Sequence, residues 1–232
     1  MKKVFEMKEV AVNDVCKAIE AFAPTALQED YDNAGLIAGN PKMIVKAVLI
    51  CLDITEEVVN EAIEKKCNLI VAHHPPVFRA LKRFTGGSET ERILIKALKH
   101  DIALYAAHTN LDNTFKGVNH ILALKLGAKP LRILRPLNGR LKKLVTFCPL
   151  AYADKLRDSL FEAGAGQIGN YDACSFNTEG VGTFRAGENT RPFVGDIGKM
   201  HHEKECRIET VFPDFLEARI INSLIKAHPY EE

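Results

Sequence analysis

KAVLICLDITEEVVNEAIEKKCNLIVAHHPP, residues 46–76, is the stretch from which the architecture can be read. KAVLICL, residues 46–52, is a continuous apolar run of the kind that forms a strand buried on both faces of a parallel sheet. Asp53 and Ile54 lead to Thr55, whose hydroxyl suits the N-cap of a helix over TEEVVNEAIEKKC. Asn68 to Ala72, NLIVA, is a second buried strand. Strand, helix and strand in this order make a βαβ unit with parallel pairing and a right-handed crossover.

Working downstream, the unit repeats. TERILIKALKH, residues 90–100, predicts a helix, and DIALYAA, residues 101–107, a strand that leads into His108, Thr109, Asn110, Leu111 and Asp112. The polar loops after these two strands therefore share one edge of the sheet. Residues 117–126 predict a further helix, closed by Gly127 and Pro130. Upstream, residues 9–23 place Val12, Val15, Ile19 and Phe22 on one helical face ended by Pro24. A polar turn with Tyr31, Asp32 and Asn33 then enters a short strand, Gly35 to Ala38.

The periodicity starts afresh after Pro136 and Gly139. LKKLVTFCPL reads as a strand, ADKLRDSLFEAG as a helix, residues 173–184 as glycine-interrupted β, KECRIETVF as a strand and PDFLEARIINSLIKAH as an amphipathic helix. That β-α-β-β-α order predicts a ferredoxin-like α+β module that lacks its last strand. The expected organisation is α/β: a parallel-strand-containing metal domain over residues 1–138, followed by the ferredoxin-like module over 139–232. A chain of 232 residues exceeds the roughly 100 to 200 of a single typical domain, which agrees with two.

Composition bounds the class of function. Hydrophobic residues are 47% and charged residues 26%, as in a globular protein with a sizeable core. Lys plus Arg number 31 against 30 Asp plus Glu, interspersed, so no global field favours nucleic acid or a membrane surface. The opening MKKVFEMKEV has no apolar run and does not read as a signal peptide, and the apolar stretches are far shorter than the roughly 20 residues that span a bilayer. Six scattered cysteines with no C-x-x-C pair read as buried thiols of a reducing compartment. The expectation is a cytoplasmic protein.

Chemistry concentrates at strand ends, where open parallel sheets bind ligands. His73 and His74 follow the strand that ends at Ala72, and Pro75 and Pro76 stiffen their loop. Adjacent side chains of an extended segment point to opposite sides, so the pair is expected to serve two ions instead of clasping one. Asp112, on the next loop of the same edge, supplies a carboxylate able to bridge two cations. His108 and Asp32 are candidates for the layer behind the ligands. Imidazole and carboxylate donors suit zinc, manganese or iron, and the lack of thiolates argues against an iron–sulfur centre. The bland alternative is that the histidines merely pack at a strand end and that Asp32 and Asn33 serve only their turn. His201, His202 and Glu203 are expected in a solvated, hairpin-like loop, and His228 as a cation complementing a helix C-terminus. Gly86 and Gly87 are followed by no lysine in P-loop register, and no G-x-S-x-G elbow occurs.

AHHPP, residues 72–76, AHTNLD, residues 107–112, and YDNAGL, residues 31–36, together resemble the GTP cyclohydrolase I type 2 homologue family, also called Nif-three-like or YbgI-like dinuclear metal proteins. The resemblance extends over the second module, where GVGTFRAGEN and the closing AHPYEE are similar to the inserted domain of longer members. It implies a two-metal site that includes His73, His74 and Asp112, completed by a histidine and a glutamate of a later motif that has no counterpart here. His201, His202 and Glu203 do not sit in that later context. The chain is therefore expected to lack the C-terminal part and to bind its metals incompletely. The resemblance also implies a ring-shaped homo-oligomer, commonly a hexamer, and a hydrolase with a small-molecule or nucleotide substrate such as GTP. The competing expectation is a non-catalytic metal-binding regulatory scaffold.

Overall fold

A computed structural model of the chain describes residues 9–231, so most of the opening segment discussed above lies outside the described residues. The chain divides into two compact units, Met1–Arg132 and Ile133–Glu232. The protein has a mixed α/β fold: one unit carries a parallel-containing sheet and the other an antiparallel one. No helix among the described residues is long and apolar enough to cross a membrane.

In the first unit α1 (Val12–Phe22), β1 (Gly35–Ala38), β2 (Val48–Cys51), α2 (Glu56–Glu64), β3 (Leu69–Ala72), α3 (Glu89–Lys99), β4 (Ala103–Ala106), α4 (Thr109–Asn113) and α5 (Val118–Lys125) follow one another. The strand order is β1-β4-β3-β2, with β2, β3 and β4 parallel and β1 antiparallel to β4. Thr55 caps α2 by accepting from the Val58 N–H, and Ser88 caps α3 in the same way from Glu91. Helices α2 and α3 bury Val59, Ala62, Ile93, Leu94 and Ala97 against Ile70 and Leu104. Helix α1 covers the opposite face, with Val12 and Cys16 on Leu69, Ala103 and Tyr105.

Two expectations for this unit need correction. β2 is an edge strand and is not buried on both faces: Leu49 and Cys51 join the core, whereas Ile50 is 79% exposed. Helix α1 lies over the other strands, and an apolar run carries no mark of its position in the sheet order. Phe22, placed on the buried face of α1, is half exposed because the chain turns away at Pro24.

The second unit runs β5 (Leu141–Pro149), α6 (Ala153–Glu162), β6 (Ser175–Arg185), β7 (Met200–Pro213) and α7 (Glu217–Ala227). This is the order of a ferredoxin-like module, with strands arranged β5-β7-β6 and both pairings antiparallel. The helices cover one face, burying Leu144, Cys148, Leu156, Leu160, Ile208, Phe212 and Ile220. His201, His202 and Glu203 are not in a loop but in β7, with His201 opposite Phe184 and His202 opposite Thr183. Their polarity hid the strand, since the register comes from backbone pairing with β6 and not from an apolar face.

Candidate metal centre

β3 and β4 pair in register, Ala72 beside Ala106, so the residues that follow them emerge side by side. The Ala107 N–H donates to the Ala72 carbonyl at 2.9 Å, and the His74 N–H donates to Leu52 at 2.9 Å, which fixes three strand ends together. The chain bends at His73 and His74 as soon as β3 ends. That bend corrects the expectation of divergent side chains: the two rings lie with centroids 4.9 Å apart, tilted by 50°. His108 stands 5.2 Å from His73 and 5.4 Å from His74, ring centre to ring centre.

One ring nitrogen from each of the three histidines falls within 4.8 Å of the other two. The hydrogen bonds behind them say which. His73 Nδ1 donates to the Ala107 carbonyl at 2.8 Å, His74 Nδ1 to Asp53 Oδ1 at 2.7 Å, and His108 Nδ1 to Asp32 Oδ1 at 2.8 Å. Carbonyl and carboxylate oxygens only accept, so each Nδ1 carries a proton, and in the neutral ring Nε2 is the nitrogen with a lone pair for a ligand. Backing of this kind is what metal-ligating imidazoles show. Asp112, one turn along α4, places Oδ1 3.9 Å from His73 Nε2. It flanks His73 and does not belong to the three-histidine group.

Asp32 is the anchor of the layer behind. It accepts from His108, from the Thr109 hydroxyl, from the Thr109 N–H at 3.0 Å and from the Asn33 N–H at 2.6 Å, and its side chain is fully buried. Burial alone would raise its pKa, but the bonds from Thr109, His108 and the two backbone N–H groups outweigh it and hold the carboxyl below its ordinary value. Asn33 Nδ2 donates to the Val77 carbonyl at 2.8 Å and ties the same turn to the loop after His74.

His108 lies in one group with His73 and His74, and Asp32 stands behind it. The stretch after β4 is not a plain loop: Thr109–Asn113 forms a short helix with His108 at its N-cap position. Sequence reasoning missed Asp53 and Asn110. Asn110 is fully buried, accepts from the His108 N–H at 2.9 Å and donates to the Ala23 carbonyl at 2.7 Å. Asp53 did carry a signal, because it follows β2 on the same carboxyl edge as the histidines.

His201 and Glu203 form a separate pair in the second unit, Nε2 to Oε2 at 2.8 Å. His228 has a larger part than a charge at a helix end. Its Nδ1 accepts from the Tyr230 N–H at 3.2 Å, which requires that nitrogen unprotonated, and its Nε2 donates to the Phe147 carbonyl at 2.7 Å. The ring therefore ties the end of α7 to β5 in its neutral form.

Three imidazoles with free Nε2 atoms and a neighbouring carboxylate fit a borderline divalent cation such as zinc, manganese or iron, and thiolate chemistry has no place there. Fold and site thus define an α/β protein with a histidine-rich candidate metal centre at the carboxyl edge of parallel strands. Within that class the chain belongs to the Duf34/NIF3 (NGG1p interacting factor 3) family, whose sequence profile matches residues 10–207. It is 43% identical over 226 residues to the GTP cyclohydrolase 1 type 2 homolog of Bacillus subtilis (strain 168), a match covering 97% of this chain and 61% of that protein. The homolog of the same name from Listeria monocytogenes is 38% identical over 216 residues, covering 92% and 58%. The crystal structure of a Bacillus cereus protein related to NIF3 matches at a TM-score of 0.84 and 40% identity, over 97% of this chain and 60% of that one. The chain spans about three-fifths of the length of the curated relatives it matches.

Proposed function

We propose that this chain contributes His73, His74 and Asp112, with His108 beside them, to a dinuclear divalent-metal site of a hydrolase, with zinc, manganese or iron as the ions. The observation that supports this most is the convergence of three imidazoles whose Nδ1 atoms are each held by an acceptor of the protein. A bound divalent cation supplies Lewis acidity and lowers the pKa of a bound water towards neutrality. The chain's own residues do the rest. Asp53, Asp32 and the Ala107 carbonyl fix the ring tautomers and aim the Nε2 atoms before any ion arrives, so little reorganisation is needed on binding. The half-exposed His74 leaves an approach from solvent for substrate.

The names of the relatives point to a nucleotide such as GTP as the substrate class. We infer a cytoplasmic homo-oligomer, with the hexamer as the assembly to test by light scattering. The deciding experiment is metal content per chain after purification without chelator and reloading with zinc, manganese or ferrous iron, for the wild type, His74→Ala and His108→Ala. The expected result is stoichiometric metal in the wild type and loss in both variants. A wild type that holds no metal after reloading, while folded, overturns the proposal. Retained metal with no turnover of GTP or any other nucleotide removes the hydrolase and leaves the metal site.

A further inference from the structure

The second unit contains a cavity of about 530 Å³, a size typical of small-molecule sites. Side chains alternate across a strand. Cys148 and Cys206 face the helices, so Phe147 and Glu205 point to the opposite face of the sheet. There the segment between β6 and β7 brings Phe193, and the residues after α7 bring Tyr230, over the strands. Tyr230 has Phe184 and Phe193 each at 6.2 Å, ring centre to ring centre, and Phe193 rests edge-on against Tyr152 at 5.3 Å. The cavity is thus walled by four aromatic rings, with one carboxylate on its floor.

That carboxylate is unusual for its surroundings. Glu205 is only 9% exposed. Its Oε1 accepts from the Tyr230 hydroxyl at 2.7 Å, and among the described residues no other donor reaches it. Burial and the neighbouring Glu205 push the Tyr230 hydroxyl pKa well above its ordinary value, so Tyr230 remains a donor and never a counter-ion. Gly182 makes the arrangement possible, because a Cβ there would overlap the Glu205 carboxylate. The rim is closed by Glu231, which accepts from the Arg191 N–H at 2.7 Å. The one arginine side chain lining the cavity, Arg185, lies five positions along β6 from Gly180, the residue opposite Glu205, or roughly 16 Å away. The nearer guanidinium, Arg207, two positions from Glu205 on the same face of β7, is held by Glu209 at 2.7 Å and lies over the Phe147 ring, so it is not spent on Glu205.

A largely buried carboxylate that lines a hollow and, among the described residues, receives one neutral hydroxyl bond and no cation calls for a positively charged N–H donor. Aromatic faces around it favour the same charge and an apolar body behind it. We propose that this cavity is a binding site for a small organic ammonium ion, a protonated primary amine on an apolar or aromatic body, with its nitrogen on Glu205 and its body against Phe184 and Phe193. The site is built from residues of the second unit alone.

The test uses the full chain and two probes of one shape, benzylamine and benzyl alcohol, followed by calorimetry and by NMR shifts at millimolar ligand. Saturable binding of benzylamine is expected, with the neutral alcohol at least about tenfold weaker. Glu205→Gln keeps an acceptor for Tyr230 and removes the charge, and it should weaken the amine about tenfold while leaving the alcohol unchanged. Phe193→Ala changes a partly exposed ring of a connecting segment, so it keeps the site testable if Glu205→Gln fails to fold; a severalfold loss is expected. No saturable binding of benzylamine, equal binding of the alcohol, or an affinity unmoved by both substitutions overturns the proposal.

Discussion

Asp53 Oδ1 lies 2.7 Å from His74 Nδ1 and so joins the loop after β2 to the loop after β3. Asp53 is more than half exposed, and its carboxylate touches the candidate centre only through this ring. It is a positioning residue: it selects the tautomer that leaves His74 Nε2 free.

Asp53→Ala should therefore lower metal affinity by about 10- to 100-fold without unfolding the protein. Competition against a chromophoric chelator measures the first, and thermal melting of the metal-free protein the second. A metal-free melting temperature that falls as far as the affinity would show Asp53 to be structural instead.

Asn110 supports the centre from below. Asn110→Leu strands the His108 N–H and the Ala23 carbonyl in a fully buried place, at a cost of about 2–3 kcal/mol. Urea unfolding of the metal-free protein should show that loss. Metal affinity should fall as well, since the backbone of His108 loses its partner.

Two glycines separate conformational strain from crowding. Gly39 has φ +105°, and a Cβ there would lie 2.6 Å from Ala103 Cα, whereas Gly127 has φ +77° with nothing within 4 Å. Gly127→Ala should cost about 1 kcal/mol for the left-handed backbone alone. Gly39→Ala forces β1 away from β4 in addition and should cost at least about 3 kcal/mol. Equal costs in denaturant melts would mean that β1 shifts freely.

Thiol labelling reports the packing of both units. Cys16, Cys67, Cys148 and Cys206 are buried, and Cys51 and Cys174 are partly exposed. Burial, with Cys206 and Glu205 nearby, pushes the Cys148 thiol up to about 11, so only about one in a thousand is thiolate at pH 8. Burial with Asp53 and Glu61 raises Cys51 too. Cys174 should react first with a thiol reagent at pH 8, and the four buried cysteines only on unfolding. Because a raised pKa withholds the thiolate, labelling of Cys51 should climb as pH rises further. Early modification of Cys148 would contradict the pairing of β5 with β7.

The histidines that the structure groups were visible in the sequence because they sit where local signals are strongest. NLIVA and DIALYAA are apolar runs with abrupt polar ends, and His73, His74 and His108 are the first polar residues after them, with Asp112 four positions beyond His108. What stayed hidden was pairwise and remote. Asp53 meets His74 across 21 positions, and Asp32 meets Thr109 across 77. His228 gave no sign of its bond to Phe147, 81 positions away.

The order of apolar and polar residues by itself determined most strands and helices, their α/β order in the first unit and β-α-β-β-α order in the second, and the sheet edge at which His73, His74 and His108 emerge. These depend on periodicity and on chain connectivity, which act over one element at a time. Only the tertiary structure decided that β2 lies at an edge, that the chain bends at His73 so that three rings share one space, and which acceptor stands behind each ring. Those features depend on which strand pairs with which, and a hydrogen bond between loops exists only after the strands beneath them have been set side by side.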